Sequence, residues 1–377
     1  MRNQTLRASA LLIGTIIGAG IFALPYAIAK VGFIAGLSYI LFLGVVVLIL
    51  NLMYGQIVLS TNGKHQLSGY AQKYLGNNGK IVAVISVLLG LYGGLLAYIV
   101  KVGQFLHELT GVGSNLLWSL LFFSLMSLLV FIGLKIISRF VFLLSIILLI
   151  VILSVIILGI PHVQIGNLST FDPAFLFLPY GVILFALGGS SIIPEMGGIF
   201  DREKRAKLKK AIILGTVIPI ALYALFSLMV VGVTGALTSD DAVTGLQSAL
   251  PLISRLGAVF GIISMSSCFL SLGTILKDTY QYDFGMKKIF AWILACFVPL
   301  TLFLLGLKEF VTVISVAGAL MSGFEGVVII LTYYKSLKLR DKEPEYQIHF
   351  PKWGALILMS VFFLGILYQA VHYLSLL

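Results

Sequence analysis

Apolar runs of about 20 residues, each long enough to carry a helix across a ~30 Å hydrocarbon core, recur along this chain from end to end. Eleven can be delimited, at 6–31, 33–59, 80–109, 115–134, 139–160, 173–199, 210–236, 250–276, 288–306, 308–334 and 353–376. No stretch between them is long enough for a separate soluble domain, so the 377 residues read as one transmembrane domain. Hydrophobic residues fill 60% of the positions and charged residues 10%. A soluble chain needs roughly 25% charge to clothe its surface, so the exterior of this one must face lipid. The expected class is an all-α polytopic membrane protein.

The net charge of +11 could suggest nucleic acid, but its placement argues for topology instead. With the N-terminus in the cytoplasm, the inside segments hold 21 of the 25 basic residues. Lys30, Arg255 and Lys308 fall outside, and Lys101 sits within a span. This is the positive-inside bias of a multi-pass inner (plasma) membrane protein; an odd span count then puts the C-terminus outside. The densest charge run, Asp201–Lys210, reads as a cytoplasmic loop obeying that bias or as a contact to anionic lipid head groups. Trp118, Trp292 and Trp353 fall near span ends, where interfacial anchors belong. Cys268 and Cys296 lie inside apolar spans and read as buried small hydrophobes. Arg2, Arg7 and the tripeptide Ala27-Ile28-Ala29 mimic a signal peptide, but the intervening stretch is glycine-rich and contains Pro25.

Two spans are unlike the rest. The first contains Gly14, Gly18 and Gly20 followed by Pro25; the sixth contains Gly181, Gly188 and Gly189 followed by Pro194. Glycine removes side-chain support from a helix and proline removes a backbone donor, so each cluster predicts a local unwinding. Within lipid, unwound backbone is tolerated only where it is buried in protein or lines a wet cavity. The alternative is close helix packing through small residues. Both clusters, however, place a proline five residues after a glycine, and they lie 169 residues apart (189 − 20). The same offset carries the start of the third span to the start of the eighth. The chain thus reads as two five-helix halves, 6–160 and an inverted 173–334, with an extra helix at 353–376. Matching broken helices in inverted halves point to a transporter's binding site.

A half-helix that begins after a break offers free N–H groups and a positive dipole end, which suit a carboxylate. One that ends at a break offers carbonyl oxygens, which suit an ammonium or a metal cation. The amides near Gly18, Ala19, Gly20 and Ile21 are expected to hold the carboxylate of an amino acid, and the carbonyls near Phe185, Ala186 and Leu187 its amine. Gly189 and Ser190 complete the second break.

At these residues the chain resembles the amino acid/auxin permease group, in particular its bacterial hydroxy/aromatic amino acid permeases. The resemblance rests on Gly14-Thr15-Ile16-Ile17-Gly18-Ala19-Gly20-Ile21 through Pro25, on Gly188-Gly189-Ser190-Ser191-Ile192-Ile193-Pro194-Glu195, on Gly69–Gly76 and on Ser266-Ser267-Cys268-Phe269-Leu270. It departs at Ser271, where the family has glycine. It covers nearly the whole chain and implies a LeuT-like five-plus-five fold, alternating access and a cation gradient as driving force. Aromatic cargo is implied by this resemblance alone, which also makes Tyr98 of the third span a candidate for the substrate pocket.

Glu195 and Glu325 are ionisable groups inside spans and are candidates for a coupling proton or an inner gate, with snorkelling to the interface as the alternative. Lys101 either lines the outer vestibule or snorkels outward. Asp278 is a candidate partner for Arg7 or Arg2 in an inner gate. A sodium ion would use carbonyls near Gly14 and Ile17 with the hydroxyls of Ser266 and Ser267. The interior of span five offers only Ser145 and Ser154, so the lysine that replaces the ion in some relatives has no counterpart. A proton is the expected coupling ion and sodium the alternative; no other cofactor and no metal is expected. The five histidines lie in loops or at span ends, which leaves an intramembrane enzyme without a convergent polar set, and nothing resembles a channel filter. A nucleobase or polyamine on the same fold is the nearer rival.

Overall fold

The computed structural model describes residues 4–63, 65–133 and 150–374. The apolar runs fold as helices: α1 Gln4–Ile16, α2 Gly20–Val31, α3 Phe33–Ser60, α4 Leu67–Thr110 and α5 Asn115–Ile132 come first. Then follow α6 Ile150–His162, α7 Leu178–Ala186, α8 Ile193–Ile199, α9 Lys207–Thr234, α10 Pro251–Asp278, α11 Lys288–Leu304, α12 Phe310–Leu339 and α13 Lys352–Leu374. Eight helical stretches among the described residues are long and apolar enough to cross a membrane, the α7–α8 pair counting as one, and the bent pair α1–α2 raises this to nine. Half of the expected fifth span (139–149), with Arg139 and Ser145, lies outside the described residues, as do Lys135 before it and the gate candidate Arg2.

The bundle is stitched by small residues, as expected where lipid supplies no hydrophobic drive between helices. A Cβ on Gly181 of α7 would fall 2.1 Å from the Ser315 carbonyl of α12, so these two backbones touch. At Gly32 the chain needs glycine twice over. Its φ is +102°, and a Cβ there would meet the Thr170 carbonyl at 2.0 Å. Gly76 (φ 77°) bends α4 between a short leading segment and the apolar span. The expected segment 69–76 is therefore helical and runs into span three through a glycine joint.

One end of the bundle carries the segments 61–66, 200–206 and 340–351; the other carries 111–114, 163–177 and 235–250. At the first end, residues 341–350 strap α12 to α3. The Tyr346 hydroxyl donates to the Leu52 carbonyl (2.8 Å), the Ile348 amide to Gln56 Oε1 (2.8 Å) and the Tyr333 hydroxyl to the Ile348 carbonyl (2.7 Å). Asp341 pairs with Lys73 and accepts from the Asn62 amide at 2.7 Å.

Candidate functional site

Helical hydrogen bonding stops between α1 and α2, and the two axes diverge by 59°. The Ile17 amide donates to Ile13 and the Gly18 amide to Ile16, after which the amides of Ala19, Gly20 and Ile21 find no backbone acceptor among the described residues. These are the free donors that the start of a helix leaves over. The carbonyls of Gly14 and Ile17 likewise accept no backbone bond across the break. Gly20 is required by close approach: a Cβ there would lie 2.4 Å from the Ala186 Cα. Gly18 is looser, with Cys268 Sγ 3.6 Å from the equivalent point.

The second interruption faces the first. Helix α7 ends at Ala186, a single turn forms over Ser190–Ile192, and α8 starts at Ile193 with Pro194 in its first turn. Pro194 serves the restart, since a helix's opening residues have no acceptor for an N–H. Of the three carbonyls expected to face an amine, Phe185 accepts from the Gly188 amide (3.1 Å) and Ala186 from the Tyr223 hydroxyl (3.0 Å), while Leu187 accepts none described. Gly189 packs on α1: a Cβ there would sit 2.5 Å from Ile16 Cγ1.

Tyr223 of α9 joins the two interruptions. Its hydroxyl lies 2.8 Å from the Ile16 carbonyl and 3.0 Å from the Ala186 carbonyl, a shared donation to the last residue of each half-helix. Its signal in the sequence is weak, one of four hydroxyls in an apolar span with Thr216, Ser227 and Thr234. Tyr98 is buried on α4, and Cys268 lies beside the first interruption, against Gly18. The Tyr98 hydroxyl and the Phe185 ring both come within 3.8 Å of the Cβ position of Gly94. Met321 of α12 fills the space left by Gly90 and reaches Gly188. Amides, carbonyls and the side chains of Tyr98, Phe185 and Met321 thus converge.

Glu325 on α12 accepts a hydrogen bond from the Ser190 hydroxyl, so one titratable side chain is tied directly to the second interruption. Glu195 is exposed and lines a cavity of about 880 Å³, with Tyr70, Arg205 and Lys342, that opens at the end bearing segment 61–66. Ser266 donates to its own helix at the Ile262 carbonyl (2.6 Å), which leaves its lone pairs available; Ser267 is half-buried. Arg7 is exposed, and the ion pair described for Asp278 is with Lys277 at 3.5 Å, so the structure does not bring Arg7 and Asp278 together. Lys101 does not snorkel. It is 1% exposed and ion-paired to Asp240 and Asp241.

A profile of the tryptophan/tyrosine permease family matches residues 1–372. The tyrosine-specific transport system 1 of Haemophilus influenzae is 24% identical over 98% of this chain and 97% of its own length. Glutamine transporter 2 of Aliivibrio fischeri is 22% identical over 97% and 98% respectively. The crystal structure of MhsT in complex with L-phenylalanine shares the fold, with a TM-score of 0.66 at 17% identity over 100% of this chain and 98% of that one. With an all-helical, LeuT-like bundle and a match over nearly its whole length, the chain belongs to the tryptophan/tyrosine permease family and is a multi-pass membrane amino acid permease of the bacterial inner membrane.

Proposed function

We propose that this permease carries an aromatic amino acid by alternating access, with the two facing helix interruptions as its binding site. The observation that carries the reading is the convergence of unpaired amides at 19–21 with the carbonyl end of α7, bridged by Tyr223. The amides of Ala19, Gly20 and Ile21 suit the carboxylate at a positive helix end, and the carbonyls of 185–187 suit the ammonium. Tyr98, Phe185 and Met321 surround the side-chain end. Phe185 and Met321 must shift to admit a ring, since both now pack into the space between α4 and α7.

In this reading the chain has eleven spans: the eight long helical stretches, the bent pair α1–α2, and the two shorter apolar helices α6 and α11. The halves 6–160 and 173–334 form an inverted repeat, and α1–α2 and α7–α8 are spans broken mid-membrane. The N-terminus is cytoplasmic and the C-terminus outside, which puts the Glu195 cavity on the cytoplasmic side. A C-terminal reporter that works only in the cytoplasm should stay dark, and one inserted after Lys210 should be active; a bright C-terminal fusion removes the odd-span topology. The wider amino acid/auxin permease assignment rests on the sequence motifs.

Transport is coupled to a proton, carried by Glu325 with Glu195 as the exit group, because each can change its access to water between states. Sodium is the second reading, supported by the unengaged carbonyls of Gly14 and Ile17 and the lone pairs of Ser266 and Ser267. The test is uptake of tyrosine, tryptophan, phenylalanine and glutamine into proteoliposomes under a proton or a sodium gradient alone, with Glu195→Gln and Glu325→Gln alongside. Proton-driven uptake of the aromatic substrates, lost in Glu325→Gln, is the expected result. Sodium-driven uptake at symmetric pH, indifferent to both variants, transfers the coupling site to Ser266 and Ser267. Preference for glutamine overturns the aromatic assignment.

A further inference from the structure

Lys101 lies three residues beyond Tyr98 on α4, on the same helix face and one turn nearer the end that carries segment 235–250. Its Nζ is 3.2 Å from Asp240 Oδ1 and 3.3 Å from Asp241 Oδ2, with the Phe310 ring centroid 4.9 Å away. Asp241 is as deeply buried as the lysine, with its side chain 2% exposed. Its carboxylate also accepts from the Val243 amide (3.0 Å), the Thr244 amide (2.9 Å), the Ser239 hydroxyl (2.8 Å) and the Thr244 hydroxyl. Burial opposes ionisation of Asp241, but the Lys101 ammonium and these donors outweigh it and hold the carboxyl below its usual range.

All four of those donors belong to the loop itself. The loop is a self-satisfied turn around Asp241, and the ion pairs to Lys101 are its described polar bonds to α4. Ala242, beside Asp241, has φ +62°, a conformation that alanine holds only where its surroundings impose it. Beneath the loop, Val243 and Leu246 share a gap of about 20 Å³ with Ile21 and Phe22, the residues that open α2. The loop therefore sits over the first interruption as a lid, pinned by one buried cation.

We propose that Lys101 and Asp241 form the outer gate of this permease, closed in this structure and opened when segment 238–246 lifts from α4 as a unit. The proposal rests on the alternating-access reading above. A buried ion pair suits a gate because its attraction is largely offset by desolvation. Letting both partners return to water together costs little, whereas deleting one leaves an uncompensated charge. Lifting keeps the loop's internal bonds, so opening gives up the Lys101 ion pairs and the packing of Val243 and Leu246 beneath it.

Cys268, which lies against Gly18 below the lid, is a native reporter. In a Cys296→Ala background, a membrane-impermeant thiol reagent added from outside should label it slowly in the parent. Asp241→Asn and Lys101→Met should each raise that rate about fivefold or more, the lower end of a typical conformational coupling. The double variant should match the singles instead of multiplying them, as expected of one shared interaction. Asp240→Asn, at the more exposed partner, should give a smaller rise and provides the readout if the buried variants fail to insert. Parent-like labelling in the inserted variants overturns the gate while leaving parental uptake, and thus the transport reading, intact. Absence of uptake by the parent refutes the transport reading independently.

Discussion

The two helix interruptions carry nearly the same sequence signal and are built differently. At the first, backbone does the work: Gly20 lets α2 start against Ala186, and no side chain of residues 17–20 makes a described hydrogen bond. At the second, side chains take over: Ser190 bonds Glu325, Ser322 reaches the Leu184 carbonyl at 3.5 Å, and Met321 packs on Gly188. A glycine-only break presents backbone to a ligand and has nothing that titrates. A break tied to a carboxylate can sense protonation. In the proposed reading, the first motif serves binding and the second coupling.

The most damaging test of this division is Gly20→Leu. The Ala186 backbone cannot yield, so uptake should fall by about 100-fold or more, the cost of misplacing a reacting geometry by ~1 Å, with membrane insertion intact by surface labelling. Gly189→Leu should also abolish uptake, but Gly189→Ala should retain part, because it meets the flexible end of Ile16. Next, Tyr223→Phe removes the donor shared by both breaks. A buried hydrogen bond at ~1–2 kcal/mol predicts about a tenfold loss of initial rate. Ser190→Ala should lower the rate about threefold and move the pH profile of uptake, with Ser190→Thr restoring both, since among the described residues the second break is the one tied to a carboxylate. A pH profile unmoved by Ser190→Ala erases the distinction between the breaks. Gly18→Ala, which meets Cys268 only at ordinary contact distance, should change uptake by less than about twofold.

The smallest effect is expected at Asp201, just past α8, where the Gln4 amide of α1 and then Lys204 hold the carboxyl below its usual range. A lowered folded value stabilises above the unfolded value and is lost as pH falls through the folded one. Because Asp201 is exposed, Asp201→Asn should superimpose on the parent in uptake assays between about pH 7 and about pH 5.

The helices were legible because lipid fixes their length and charge marks their ends. The expected span at 33–59 is α3, Phe33–Ser60, almost to the residue. The interruptions were legible because glycine and proline act locally. What escaped the sequence is contact between side chains far apart in the chain. Ser190 and Glu325 are separated by 135 residues, and Lys101 and Asp241 by 140. Lys101 shows why: an isolated lysine near a span end snorkels by default, and only the folded loop supplies its two carboxylates. Tyr223 and Met321 carry no motif, because one hydroxyl and one thioether in an apolar span look like any others. Arg7 and Asp278 are not brought together in this structure for the complementary reason, since both residues have nearer or wetter alternatives.

The strap between α12 and α13 also sets an order of events in biosynthesis. Its tyrosine peg at Leu52 spans 294 residues and its bond to Gln56 spans 292. At about 5–20 residues per second, roughly 15–60 s pass between synthesis of α3 and arrival of its partner. Through that interval the Gln56 side-chain oxygen must be served by water, lipid head groups or an insertion chaperone, while the Leu52 carbonyl, already bonded within α3, waits only for its second donor. A segment made 292 to 294 residues later thus closes a seam opened at α3, and a nascent protein stalled before Tyr346 would have α1 to α12 made, α13 still to come and that seam unsealed.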